Sequence, residues 1–298
     1  MFQKGRRFCR KLPEPRPPLR DLNFSFTGSN VLARPRRCRS RSNRTEGLQM
    51  LIEAALNGGR TRAEHPAIPC TPRELAVAAA ESVAAGARAI HFHVRNRDGR
   101  ESVDADDVAA AVTAVRAAIP GVTFGVSTGA WILSDPKARH EAVARWKIFP
   151  DFASVNFKED GAKQLTELLL SRGIGIEIGL SDVHGTELFV ASRLAAKCLR
   201  VLIEPMEEAV VRAMWMVDSI ETVLARGRVT LPRVLHGMDA TAWPILDEAV
   251  ARSYDTRVGF EDVLAMPDGT IAASNAALVA EAARRAEHHG RHRKSSRA

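Results

Sequence analysis

The chain has 298 residues, enough for one large domain or two ordinary ones, and with 45% of them apolar and 26% charged it has an ordinary globular balance that permits a sizeable core. Its net charge of +8 sits at the ends: residues 1–49 carry 13 Lys/Arg against 3 Asp/Glu, and residues 284–298 carry 6 against 1. Taking both tails from the totals of 43 and 35 leaves 24 basic and 31 acidic residues in 50–283, so the body of the protein is acidic and is no general polyanion-binding surface.

Residues 1–49 are rich in Arg, Pro and Ser, with PEPRPP at 13–18 and RPRRCRSRSNR at 34–44, and show no helical or strand period. They are expected to be disordered and of little structural consequence. Arg6-Arg7 is not followed by the apolar segment of an export signal, and the prolines would break the helix of a mitochondrial presequence. Cys9, Cys38, Cys70 and Cys198 are too few and too scattered for a disulfide framework, and no apolar run is long enough to cross a bilayer. A cytoplasmic protein with no membrane partner is expected.

From Met50 onward strand-like and helical patterns alternate. Apolar strand-like runs fall at 51–57, 88–94, 122–127, 152–156, 174–178, 199–203, 231–235 and 256–260. Helical patterns follow at 72–85, 105–118, 136–147, 160–171, 184–197, 207–226, 241–252 and 272–286. Thr71-Pro72-Arg73-Glu74 supplies an N-cap, an N1 proline and a capping-box Glu, and Asp104 with Asp107 repeats that logic. Eight strand–helix units in this length predict a single α/β (β/α)₈ TIM barrel over 50–286, with a basic disordered C-terminus at 287–298. A doubly wound sheet is disfavoured, because Asn57-Gly58-Gly59-Arg60 is no phosphate-binding fingerprint and the glycines of GIGIEIG at 173–179 lie within a strand.

A barrel brings the C-terminal ends of all strands together, and polar residues gather there. Asn57 and Arg60 end the first strand, and Arg60 can hold a substrate anion through two donors. His91 and His93 end the second at i and i+2, so they share one face. Ser127, Thr128 and Gly129 end the third and offer hydroxyl donors with close backbone approach. Ser154, Asn156 and Glu177 are polar where apolar side chains would fill a barrel, so they are candidate substrate contacts, with Glu177 also able to orient a histidine. Glu261 and Asp262 follow the eighth strand, which flanks the first. His91, His93 and Glu261 then form a three-donor set suited to one catalytic Zn²⁺ with an open position. Arg257 shares strand parity with Glu261, and a buried guanidinium needs an anion, for which Asp262 is the candidate.

Together NGGR at 57–60, PAIPCTPRELA at 66–76, HFHVRNRDGR at 91–100, VSTGA at 126–130, RVGFEDVL at 257–264 and SNAALV at 274–279 resemble the β-keto acid cleavage enzyme family over nearly the whole chain beyond the tail. The resemblance implies a (β/α)₈ acyltransferase holding Zn²⁺ through His91, His93 and Glu261. Its reaction would take a β-keto acid and acetyl-CoA to acetoacetate and a new acyl-CoA. It implies catalytic roles for the Arg257–Asp262 dyad and for Ser127, and a homotetramer as the assembly. Where the family member acting on an aminated keto acid has a Glu, this chain has Arg60, so an anionic or neutral polar substrate tail is expected. Ala130 and the KEDG segment at 158–161 also depart from the family pattern and are expected to alter the pocket.

Two other readings compete. An amidohydrolase-like metal hydrolase also uses H-x-H in a barrel, but it needs the pair on the first strand and histidines where Glu177 and Glu204 stand. Non-enzymatic nucleic-acid binding would have to act through the basic tails, and no specific nucleic-acid partner is expected.

Overall fold

The computed structural model describes residues 50–295, with side chains to residue 288, so the expected disorder of 1–49 lies outside the described residues. Parallel strands β1 (Ile52–Ala55), β2 (Ala89–Phe92), β3 (Thr123–Ser127), β4 (Phe152–Asn156), β5 (Gly175–Leu180), β6 (Arg200–Ile203), β7 (Arg233–Leu235) and β8 (Asp255–Val258) pair in sequence order. β8 returns to β1 with Glu53 opposite Arg257, and the sheet closes into a barrel. Helices α1 (Pro72–Ala84), α2 (Ala105–Ala118), α3 (Pro136–Ala144), α4 (Ala162–Ser171), α5 (Val183–Ser192), α6 (Val210–Arg226), α7 (Ala242–Arg252) and α8 (Asn275–Ser295) follow the strands in turn. The protein is a (β/α)₈ barrel.

Alternation along each strand divides the side chains between two layers. Ile52, Ala54 and Leu56 join Ile90, Phe92, Phe124 and Val126 in the buried apolar layer between sheet and helices. Each such Leu, Ile or Phe contributes about 1.5–3 kcal/mol by leaving water. Facing the other way on β1, Glu53 meets Arg200 of β6, which also binds Glu177 of β5. The Arg200 guanidinium lies 4.7 Å from the centre of the Phe152 ring. The barrel interior therefore holds a buried ion cluster where hydrocarbon layers are usual.

Helix starts follow the local code. Thr71 and Glu74 form the capping box of α1, and Pro72 begins its first turn. Asp104 caps α2 by accepting from the Asp106 amide rather than through a box, because Asp107 instead accepts from the Ser102 hydroxyl at 2.7 Å.

Three boundaries differ from the sequence expectation. α5 stops at Ser192, where Arg193 turns left-handed (φ 59°), and only a short 3₁₀ turn, Ala195–Lys197, occupies the rest of its predicted span. β7 begins after Pro232, which has no N–H to give but accepts from the Val201 amide. α8 continues to Ser295, past the predicted end at 286 and through much of the expected disordered terminus. Its run of Ala, Glu, Arg and His carries strong helix formers and no proline to stop it.

Candidate active site

His91 is the penultimate residue of β2, and His93 lies just past the strand end, where Asn57 pins its backbone. The His93 amide donates to Asn57 Oδ1 at 2.8 Å, and Asn57 Nδ2 donates to the carbonyls of His93 and Pro69, both at 3.0 Å. β8 ends at Val258, so Glu261 arrives from a turn and strand parity does not govern its direction. Its amide donates to the Ala55 carbonyl at 3.2 Å, which anchors the turn to β1. Asn275 braces the same turn, accepting from the Phe260 amide and donating to the Leu56 carbonyl. Gly58 (φ +53°) makes room for the carboxylate, because a β-carbon there would overlap Glu261 Cγ.

This scaffold brings the three donors together. His91 Nε2 lies 3.6 Å from Glu261 Oε2, and His93 Nε2 lies 3.4 Å from Glu261 Oε1. All three ligand atoms fall within 4.8 Å of one another. Glu261 Oε2 is buried and has no hydrogen-bond partner among the described residues. Burial, only partly offset by Glu261, holds the His91 imidazole down to about 3, in the neutral form that ligates metals. Burial acts the same way on His93, but Glu261 and the hydrogen bond to Glu101 outweigh it and push that group up to about 9. Burial likewise opposes the Glu261 charge, yet Arg257 and both imidazoles hold its carboxyl well below the usual range. The negative charge that keeps a proton on His93 is the charge a divalent cation would neutralise. Two imidazoles and a carboxylate with an orphaned oxygen fit a zinc-type ion.

Beside this set, Arg257 Nη2 donates to Asp262 Oδ1 at 2.6 Å and to Glu261 Oε1 at 3.1 Å. His236 Nδ1 approaches the same Asp262 oxygen at 3.4 Å, while Asp262 Oδ2 is buried without a partner among the described residues. Burial raises the Asp262 carboxyl above its ordinary range despite Arg257 and His236. Burial alone would lower the Arg257 guanidinium, but Asp262 and Glu261 hold it well above its ordinary value and charged.

The other predicted residues divide by position. Ser127, 5% exposed, accepts from the Gly129 amide at 3.3 Å, and Thr128 is buried with its hydroxyl donating to the Ser154 carbonyl at 2.7 Å. Ser154 is half-buried on β4. Asn156, also half-buried, donates to Glu159, which further accepts from the Ala130 amide and Arg139. The KEDG departure thus ties the β3 and β4 loops together through Glu159. Asn57 and Glu177 are both fully buried, Asn57 holding backbone groups and Glu177 paired with Arg200. Arg60 donates from Nε to the Glu261 carbonyl at 3.2 Å, and its terminal nitrogens meet Glu64 and Asp239. It therefore lies at the edge of the three-donor set.

Sequence reading missed Glu101, Trp131, Glu53 and Arg200, and used Glu204 only to disfavour another barrel enzyme. The signal for Glu101 is the NRDG turn at 96–99, which folds the chain back so that Glu101 bridges to Arg95 and accepts from His93 Nδ1. Burial would raise the Glu101 carboxyl, but the bonds from His93 and Trp131 hold it below its usual range.

A family model described as beta-keto acid cleavage enzyme matches residues 49–297. A 3-keto-5-aminohexanoate cleavage enzyme of Fusobacterium nucleatum is 27% identical over 82% of this chain and 93% of its own. A 3-oxoadipate:acetyl-CoA acetyltransferase of Cupriavidus necator is 30% identical over 81% of this chain and 89% of its own. Among solved structures, a ternary complex of ObcA with a C4-CoA adduct and oxalate superposes with a TM-score of 0.59 at 18% identity, over 76% of this chain and 64% of that one, a likeness of fold alone.

Proposed function

Because the chain belongs to the β-keto acid cleavage enzyme family, we propose that it exchanges acyl groups between a β-keto acid and acetyl-CoA, releasing acetoacetate and the acyl-CoA of the remaining fragment. The observation that carries this reading is the convergence of His91, His93 and Glu261 beside the buried Arg257–Asp262 pair. Bound there, a Zn²⁺ ion would act as a Lewis acid toward the keto oxygen and carboxylate of the substrate.

The proton to be moved is the one on C2, between the two carbonyl groups. Asp262 Oδ2 is the base: Arg257 orients the carboxylate, and burial makes it more basic than an exposed Asp. The resulting C2 carbanion displaces CoA thiolate from acetyl-CoA, forming a C2–acetyl bond. The thiolate then attacks the original C3 carbonyl and the C2–C3 bond breaks. Acetoacetate leaves as its C2 carbanion and recovers the proton from Asp262, so atoms and charge balance without another reactant. Arg257 stabilises the negative charge at each stage, and the Ser127 hydroxyl donates to a substrate oxygen.

Arg60 sets the substrate class. Its guanidinium lies at the edge of the site with its terminal nitrogens on Glu64 and Asp239, and a substrate carboxylate would take the place of these partners while an ammonium would be repelled, so the substrate tail is anionic. The acetyltransferase relative supports this, since its named substrate, 3-oxoadipate, is a dicarboxylate. The exposed apolar side chains Met206, Val211 and Trp215 support the expected homo-oligomer. A cytoplasmic setting accords with the free thiols of Cys70 and Cys198. No helix of the described residues is long and apolar enough to cross a membrane.

The test is to incubate the enzyme with acetyl-CoA and a panel of neutral, cationic and anionic β-keto acids, following acetoacetate and new acyl-CoA by mass spectrometry. Acetoacetate formed from an anionic substrate and lost on chelation is expected. Its absence across the panel in zinc-loaded enzyme would end the proposal.

A further inference from the structure

The β2–α2 loop contributes a carboxylate that the reaction above does not use. Residues 95–101 form a hairpin: Arg95 bridges to Glu101, and the Asn96 amide donates to the Arg100 carbonyl at 2.8 Å. Arg95, 7% exposed, locks this hairpin to the β1 loop by donating to the carbonyls of Gly58 and Arg60. Glu101 is thereby held over His93, with Oε1 on His93 Nδ1, the ring nitrogen facing away from Glu261.

The same oxygen also accepts from the indole N–H of Trp131 at 3.1 Å. Trp131 stacks on the His93 ring with centroids 5.9 Å apart and an interplanar angle of 24°. It can lie there because Gly129 has no β-carbon, which would overlap the indole. Trp131 is 56% exposed, an unusual state for a large aromatic, while the His93 side chain it covers is only 4% exposed.

We propose that Glu101 is a positioning residue for the metal ligand His93 and that Trp131 is the cover that keeps their hydrogen bond dry. With Nδ1–H donated to Glu101, the His93 Nε2 lone pair is presented to the ion beside His91 and Glu261, and the carboxylate makes that nitrogen a stronger donor. The shared oxygen Oε1 couples the cover to the ligand, so one carboxylate serves ion and lid together. The inference rests on the metal reading of this site.

The test measures Zn²⁺ affinity by chelator competition, and the visible spectrum of Co²⁺-loaded protein, in wild type, Glu101→Gln, Glu101→Ala and Trp131→Ala. Loss of an outer partner of a ligating His costs about 10- to 100-fold in metal affinity. Glu101→Ala is expected to lose that much and to shift the Co²⁺ bands. Glu101→Gln, which is nearly isosteric and keeps an acceptor for His93, should recover part of the loss and carries the test if the alanine variant does not fold. Trp131→Ala should release Zn²⁺ to chelator faster without lowering the melting temperature of the metal-free protein. Wild-type affinity and spectrum in both Glu101 variants would overturn the inference and leave the metal reading intact. A wild-type protein that takes up neither ion would overturn both.

Discussion

Arg257 donates to one oxygen of Asp262 at 2.6 Å and leaves the other, Oδ2, buried with no partner among the described residues. A carboxylate pinned on one side and open on the other is an oriented base. Asp262→Asn keeps the acceptor for Arg257 but cannot take a proton, so kcat should fall about 10²- to 10⁴-fold with KM changed only modestly. Steady-state acetoacetate formation checks this, and an unchanged kcat removes Asp262 from the chemistry.

Arg60 makes substrate charge a second measurable axis. Arg60→Glu should lower kcat/KM for a dicarboxylic β-keto acid by about 10- to 100-fold, the cost of losing one charged contact, and raise the relative rate with an aminated one. Competition between the two substrates reads the ratio directly. If the preference does not move, the substrate tail does not meet Arg60.

Metal content separates the three donors from their surroundings. Chelation should abolish acetoacetate formation, and added Zn²⁺ should restore it in wild type. His91→Ala and His93→Ala should each hold well under one Zn²⁺ per chain by elemental analysis and should not be rescued. Full occupancy in both variants would place the ion elsewhere.

Stability should depend on pH through Glu53. Burial and the neighbouring Glu177 push its carboxyl up to about 8, despite the opposing pull of Arg200. A group that binds its proton more tightly when folded contributes fully below its unfolded value, here 4.5, and loses that contribution as pH rises through about 8. The denaturant midpoint of the wild type should therefore fall as pH rises from about 4.5 towards about 8. In Glu53→Gln the slope should flatten, and parallel profiles for the two proteins would refute the assignment.

The barrel and the convergence of three donors were legible because each rests on a local rule. Strand–helix alternation gave the architecture, and i, i+2 parity put His91 and His93 on one face. Partnerships at long range were not legible. Arg200 lies 147 positions from Glu53, and nothing near either residue names the other. Nor does the polarity of a single strand name its satisfying partner, which for Asn57 is the His93 backbone and for Glu177 the Arg200 guanidinium. Glu261 was found through its motif rather than its parity, since β8 ends three residues earlier.

Closure of β8 against β1 has a consequence for assembly of the site. The imidazoles arrive early in the chain and the third donor only with the last strand, so a folding intermediate lacking the β1–β8 seam does not yet bring the three donors together. Uptake of a coloured ion such as Co²⁺ during refolding would time completion of the ring, and a fragment ending before residue 255 would stay colourless however much helix it had regained.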